Sequence, residues 1–285
     1  MNAARRKFPE WLKKRLPRPE QLEPVLQTLR ELHLTTVCQE ARCPNLCECF
    51  ARGTATFMIL GSVCTRRCTF CAVGKGTPSA PDLQEPERVA AAAERLALKH
   101  VVVTSVTRDD LPDGGSGHFA KAVRAIRARC SATVEVLTPD FQGRAEDIDR
   151  VALSRPDIYN HNVETVPRLY PEVRPQADYG RSLGLLHRVA GKGIVAKSGL
   201  MLGLGESEEE ILCVLSDLRE AGCLAVTLGQ YLQPTPQHHP VEEFVPPEKF
   251  ACLREAALRM GFEGVASGPF VRSSYNAGLM AAQVL

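Results

Sequence analysis

The sequence predicts an α/β fold of six successive βα-type repeats joined by right-handed parallel crossovers, with chain to spare at both ends. Three observations predict it. Between residues 54 and 232, short apolar runs alternate with amphipathic stretches of helical length, the pattern of a parallel sheet covered by helices. One of the runs, "HVVVTSV" (100–106), is apolar without a break, as in strands buried on both faces. Polar, glycine-rich or acidic segments follow the strands, where chemistry gathers in such folds. Six repeats fall short of the eight of a closed barrel.

In chain order, residues 1–52 come first as a separate segment. They hold a basic opening, "MNAARRKFPEWLKKRLP", a helical stretch near Glu20–Leu32, and "TTVCQEARCPNLCECFARG". The repeats fill 53–245. "TATFMIL" is the first strand, and "EPERVAAAAERLALK" is a helix with Pro86 in its first turn, where the missing amide costs nothing. "HVVVTSV", "ATVEVLT", "DIYNHNV", "IVAKSGLMLGLG" and "CLAVTLGQYL" are the next strands. Between them, "HFAKAVRAIRARC", "AEDIDRVALSR", "RSLGLLHRVA" and "SEEEILCVLSDLREAG" are helices, the last opened by Ser207 with Glu210 three residues on, a capping box. Residues 246–285 supply one more helix, a short strand and a tail.

The chain has 285 residues, 44% hydrophobic and 24% charged, with a net charge of +2. That balance gives no argument for nucleic acid. No apolar run long enough for a membrane span occurs, and the basic N-terminus lacks the apolar core of a secretory signal. A cytoplasmic protein is expected. Of eleven cysteines, seven fall between Cys38 and Cys71, and without a secretory signal such clustering reads as metal or redox ligation. Cys130, Cys213, Cys223 and Cys252 are scattered and expected to be small buried hydrophobes.

"SVCTRRCTFCAVG" places Cys64, Cys68 and Cys71 in a C-x3-C-x2-C pattern just past the first strand. The same spacing would line one helix face, but Gly74, Gly76 and Pro78 make this a loop. Zinc would need a fourth ligand at a suitable spacing. A [4Fe–4S] cluster accepts three thiolates and keeps one iron open, with Arg66 and Arg67 to favour the anionic charge. This loop, with Phe70 before its last cysteine, resembles the radical S-adenosylmethionine family. The resemblance implies a partial (β/α)6 barrel, in agreement with the repeat count. It also implies that the open iron chelates the methionine moiety, and that one electron releases a 5′-deoxyadenosyl radical.

Upstream, Cys38, Cys43 and Cys49 form C-x4-C-x5-C. Together with "VVVTSVTRDDLPDGG", "NHNVETVPRLY", "KSGLMLGLGE" and "SGPFVRSSY", this resembles the lipoyl synthase family over about residues 33–277. Cys47 stands where family sequences usually have an aromatic, and is expected to be an idle thiol. The resemblance implies sulfur insertion at carbons 6 and 8 of a protein-bound octanoyl-lysine. Those C–H bonds are unactivated, so acid–base side chains cannot open them and a cofactor must. It implies two [4Fe–4S] clusters and S-adenosylmethionine. The second, auxiliary cluster would be held by Cys38, Cys43, Cys49 and a serine of Arg272-Ser273-Ser274-Tyr275. In an extended tail adjacent side chains point opposite ways, so one hydroxyl is expected at the iron: Ser274, with Ser273 as the alternative. Residues 1–52 and 246–285 would then converge on that cluster.

Carried over in the same way as cofactor contacts are Phe70, Asn162, Glu164, Lys197, Gly203, Glu206 and Arg272. Asp109 and Asp110 are weaker candidates, His161 is ambiguous, and His238 and His239 are expected to be exposed in a Pro-rich loop. The partners implied are octanoylated lipoyl-carrier domains (E2 subunits or the glycine cleavage H protein), an electron donor and an iron–sulfur carrier for cluster repair. No nucleic acid or membrane is expected, and the chain is read as a monomer. The basic stretch Arg5–Arg18 would steer acidic carriers. Two alternatives stay open: a biotin-synthase-like sulfur inserter or methylthiotransferase, and a non-catalytic iron–sulfur or zinc protein.

Overall fold

A computed structural model of the chain describes residues 8–285. Its strands are β1 (Thr35–Thr36), β2 (Thr56–Ile59), β3 (Val63–Cys64), β4 (Gly74–Lys75), β5 (His100–Ser105), β6 (Thr133–Leu137), β7 (Ile158–Asn160), β8 (Val195–Leu202), β9 (Ala225–Gln230) and β10 (Gly264–Gly268). Eight of them form one sheet in the order β1-β2-β5-β6-β7-β8-β9-β10, while β3 and β4 make a separate small ladder. From β2 to β10 every neighbour is parallel, and β1 is antiparallel to β2. The two ends of the sheet do not pair with each other, so the barrel is partial.

The helices are α1 (Glu23–Glu31), α2 (Val37–Glu40), α3 (Leu46–Ala51), α4 (Glu85–Arg95), α5 (Ser116–Arg129), α6 (Ala145–Ala152), α7 (Tyr170–Val173), α8 (Tyr179–Ala190), α9 (Glu208–Glu220), α10 (Pro247–Arg259) and α11 (Ala277–Val284). The expected capping box opens α9: Ser207 accepts the Glu210 amide, and Glu210 accepts the Ser207 amide.

The strands divide their residues between two environments, as a period of two requires. Val101, Val103, Val134, Val136 and Phe57 join the apolar core beneath the helices. Their alternates Met58 and Thr104 line the interior, and Glu135 is wholly buried against Lys197. "HVVVTSV" is therefore apolar on the helix side and mixed on the barrel side.

The expected short C-terminal strand is β10, which pairs parallel to β9 and extends the sheet. Three expectations change. A two-residue antiparallel strand, β1, precedes the first repeat and hangs Cys38 beside the start of β2. Residues 273–276 are a turn rather than an extended tail, and the chain then forms α11. Of the scattered cysteines only Cys223 is buried; Cys130 is half-buried and Cys213 and Cys252 are exposed. Each of the exposed pair sits on a helix that packs its other side inward. Of the basic N-terminal stretch, Arg5, Arg6 and Lys7 lie outside the described residues.

Candidate functional site

The first cysteine loop leaves β2 through two left-handed residues, Leu60 (φ 68) and Gly61 (φ 89). A left-handed Leu is strained, and two buried partners hold it. The Leu60 amide donates to Glu85 Oε2 at 2.8 Å, and its carbonyl accepts from Arg108 Nη1 at 3.3 Å. The β3–β4 ladder closes the base of the loop. Its outer part is held by backbone bonds, Thr69 N to Val173 O at 2.9 Å and His239 N to Thr69 O at 3.0 Å. Lys75 Nζ donates to the Cys68 carbonyl at 2.9 Å, and His238 Nε2 lies 3.1 Å from the Cys71 carbonyl.

Arg66 is buried within this loop and forks onto two carboxylates, Asp109 (2.7 Å) and Asp140 (2.6 Å). Burial opposes its charge, but these two partners more than offset it and keep Arg66 cationic. Asp140 is likewise held far below the ordinary carboxylate range by Arg66, against its own burial. The result is a buried network of charges within the cysteine loop, with Arg66 and Asp140 both held ionised.

The first trio and two cysteines of the second face one cavity of about 490 Å³, a size typical of small-molecule sites. Cys38, Cys43, Cys64, Cys68 and Cys71 line it, and Cys49 sits behind Cys38 and Cys43. Burial pushes the Cys71 thiol up to about 12, with the Cys68 and Cys64 thiols adding repulsion. Burial pushes Cys49 up to about 12 as well, with Cys38 and Cys43 adding theirs. Such groups give up protons only to a strongly cationic partner. Among the described residues, no three His, Cys, Asp or Glu side chains converge as a single metal ion would require. The thiols of each trio lie near enough to repel one another's charge, and three thiolates can hold a [4Fe–4S] cluster with one iron open.

The trios lie toward opposite ends of β2. Cys38 lies beside Thr56, the first residue of that strand, and Cys64 comes after its last. Four strand residues rise about 13 Å. Cys47 and Cys49 are two residues apart on α3, so their side chains face different sides of the helix. Neither lines the cavity, but Cys49 is close enough to Cys38 and Cys43 to feel their charge.

The cavity wall carries unpaired polar atoms. Ser105 Oγ, Thr138 Oγ1, Asn162 Oδ1 and Arg174 Nε are buried with no partner, and all four residues line the cavity. A buried unpaired polar atom costs about 1–3 kcal/mol, so four on one wall mark a polar ligand's place. Hydroxyls, an amide oxygen and a guanidinium suit the hydroxyls, ammonium and carboxylate of S-adenosylmethionine.

Of the residues expected from sequence, Phe70, Asn162, Glu164, Arg272, Ser273 and Ser274 line the cavity. Lys197, Gly203 and Glu206 do not. Lys197 is fully buried in a pair with Glu135. Glu206 accepts the Gly203 and Leu204 amides at 2.6 and 2.9 Å, and Gly203 turns with φ 94 against the Glu243 carbonyl. These two build the strand-to-helix turn. Asp109 holds Arg66, Asp110 holds Arg108 (2.8 Å), and Arg67 points to solvent. His239 is buried at 7% exposure, not exposed as expected, because its loop folds over the cysteine loop. Arg174 was not foreseen; a lone arginine in "YPEVRP" carries no spacing signal. Its Nη1 donates to the Asn162 and Val163 carbonyls, each at 2.9 Å.

His161 lines the cavity with its ring between the Thr138 carbonyl (2.8 Å) and the Ser182 hydroxyl (3.0 Å). Burial, reinforced by the Arg174 charge, pushes it down to about 4. The unfolded chain therefore binds a proton there that the folded chain refuses. Stability falls as pH drops through the window from about 6.5 to about 4, by about 1 kcal/mol at pH 5.5 relative to pH 7.5. Anaerobic denaturant titration at these two pH values is expected to show that loss, and His161→Gln to remove most of it.

The comparisons agree with this geometry. Residues 58–218 match the family model of the radical SAM superfamily, and residues 1–43 match that of the N-terminal domain of lipoyl synthase of the radical SAM family. A lipoyl synthase of Geobacter metallireducens is 57% identical over 272 residues, covering 94% of this chain and 95% of that protein. One from Caldanaerobacter subterraneus is 56% identical over 271 residues, with 94% and 95% covered. One from Chlorobium phaeovibrioides is 53% identical over 281 residues, with 98% and 99% covered. Among solved structures, a maturase of the [FeFe]-hydrogenase superposes with a TM-score of 0.57 at 15% identity, covering 86% of this chain and 63% of that one. Methylornithine synthase does so with a TM-score of 0.56 at 13% identity, covering 88% and 72%. These last two show the shared fold.

Proposed function

This chain belongs to the lipoyl synthase family of the radical SAM superfamily, and from that premise we propose how its own residues divide the work. The enzyme inserts sulfur into a protein-bound octanoyl chain, using S-adenosylmethionine and two [4Fe–4S] clusters. Bound in this cavity, those cofactors supply the hydrogen-abstracting carbon radical and the sulfide. Cys64, Cys68 and Cys71 hold the first cluster, and Cys38, Cys43, Cys49 and Ser274 hold the auxiliary one.

The observation that carries this division is one cavity lined by Cys64, Cys68 and Cys71 and also by Cys38 and Cys43, with Cys49 close to the last two. The polar wall of Asn162, Glu164, Arg174 and Thr138 orients the S-adenosylmethionine, with Phe70 and Arg272 beside it. Burial raises Glu164 above the usual carboxylate range, against the pull of Arg174, and Asn162 Nδ2 donates to its carboxyl at 3.1 Å. Met58, Val73, Leu137, Leu200, Met201 and Leu232 supply apolar wall, suited to a hydrocarbon tail and to excluding water from a radical.

Ser274 is favoured over Ser273 by its neighbours. Ser273 is engaged at both ends: its hydroxyl meets Asn162 Nδ2 at 2.5 Å, and its carbonyl accepts from Lys197 Nζ at 2.7 Å. Ser274 Oγ meets only a threonine hydroxyl at 2.8 Å. Residues 1–52 and 246–285 then act as the two arms that build the auxiliary site on the 53–245 barrel. Lys13 and Lys14 are paired with Glu10 and Glu48, which leaves Arg15 and Arg18 exposed to meet an acidic carrier, an E2 lipoyl domain or the glycine cleavage H protein. A separate electron donor and an iron–sulfur carrier for cluster repair complete the cycle, and the enzyme acts as a cytoplasmic monomer. Among the described residues no helix is long and apolar enough to cross a membrane.

The test is anaerobic incubation of reconstituted protein with an octanoyl-lysine peptide, S-adenosylmethionine and a strong reductant. Mass spectrometry should show one and then two added sulfur atoms. 5′-Deoxyadenosine without any sulfur in the peptide would reject the assignment of the auxiliary site.

A further inference from the structure

We propose that Thr56 is a positioning residue of the auxiliary site, its hydroxyl set between Ser274 and Cys38 so that the serine oxygen is held ready for iron. The inference rests on the reading of Ser274 as a ligand and goes one residue beyond it. Thr56 is buried at 4% exposure and begins β2, so its place is fixed by the sheet rather than by either arm. Its Oγ1 donates to Ser274 Oγ at 2.8 Å. The Cys38 thiol lies beside Thr56. The antiparallel pairing of Thr36 with Phe57 sets that cysteine there, because Thr36 caps the helix that carries it. Thr56 is thus where the N-terminal arm, the barrel and the C-terminal turn meet.

The chemistry gives this contact a direction. When Ser274 ligates iron, its O–H bond is replaced by an iron–oxygen bond and one proton passes to solvent; release reverses this with no change of oxidation state. A hydrogen bond to a negatively charged oxygen is about twice as strong as one to a neutral hydroxyl. The Thr56 hydroxyl therefore favours the ligated serine over the free one. Were Thr56 merely a core residue, valine, which matches its shape, would serve as well.

The experiment measures iron transfer to a chelator from reconstituted full-length protein, in a background where Cys64, Cys68 and Cys71 are all replaced by alanine so that bound iron belongs to the auxiliary site. Thr56→Val is expected to speed the loss of iron about tenfold. Thr56→Ser, which keeps the hydroxyl, should stay within about twofold of the parent, and Ser274→Ala should be at least as fast as Thr56→Val. Thr56→Ala serves as a second hydroxyl-free variant should Thr56→Val fold poorly by circular dichroism. Fast release in Ser274→Ala with parent-like release in the hydroxyl-free Thr56 variants overturns the role of Thr56 and leaves the Ser274 assignment intact. Parent-like release in Ser274→Ala overturns the Ser274 assignment, and this inference with it.

Discussion

Cys68→Ala is expected to reduce bound iron from about eight to about four per chain and to abolish 5′-deoxyadenosine formation, whereas Cys43→Ala loses the other four irons and keeps that product while sulfur insertion stops. The asymmetry follows from the layout. The trios stand at opposite ends of β2 and share no ligand, so each should survive the loss of the other. The first loop has its own supports in Glu85, Arg108, Asp109 and Asp140, none of which touches the second trio. Losing a ligand should exceed the roughly 10–100-fold effect of losing a supporting hydrogen bond, so each affected activity should fall by more than about a hundredfold. Iron analysis, chromatography of the nucleoside and mass spectrometry of the peptide read the three quantities. If either substitution empties both sites, or if Cys43→Ala still delivers sulfur, the two-site layout is wrong.

What the sequence could and could not show has a physical pattern. The C-x3-C-x2-C and C-x4-C-x5-C spacings are local, so their chemistry is visible in the string itself. The repeats are legible for the same reason: apolar periodicity and the Ser207 cap are short-range signals. The side of the strands that faces the cavity is not. Glu135 and Lys197 each read as one charged residue in an apolar strand, and only the sheet brings them to 2.8 Å across 62 positions. Thr56 and Ser274 meet across 218 positions, and nothing near either residue announces it. The expected extended tail failed at Arg272-Ser273-Ser274-Tyr275 because the chain turns there, with the Tyr275 amide on the Arg272 carbonyl, to enter α11. Lys197, Gly203 and Glu206 are carried over as cofactor contacts by resemblance. In the structure Lys197 pairs with Glu135 and Glu206 accepts the Gly203 and Leu204 amides, contacts between distant or turn residues that a motif match does not display.

Lys197→Met should be the most destabilising single substitution in the barrel interior. Lys197 and Glu135 are both fully buried, and the carboxylate is otherwise met only by neutral Asn160 Nδ2 at 3.0 Å and by His100 Nε2 at 3.3 Å. Despite complete burial, which works against its charge, Lys197 and His100 keep Glu135 below the ordinary carboxylate range. Removing the ammonium strands a buried charge, a loss of about 3–5 kcal/mol, or roughly 10 °C in melting temperature for a chain of this size. Adding Glu135→Gln should recover most of that loss, since the pair's net value is far smaller than the cost of breaking it. The double variant should nonetheless hold its auxiliary iron less firmly, because the Ser273 carbonyl has lost its Lys197 donor. Thermal melts of the single and double variants, with iron release measured alongside, separate the two effects. If the double variant melts as low as the single one, the ammonium's value lies in the Ser273 bond or in packing, and the buried pair is not what stabilises the barrel.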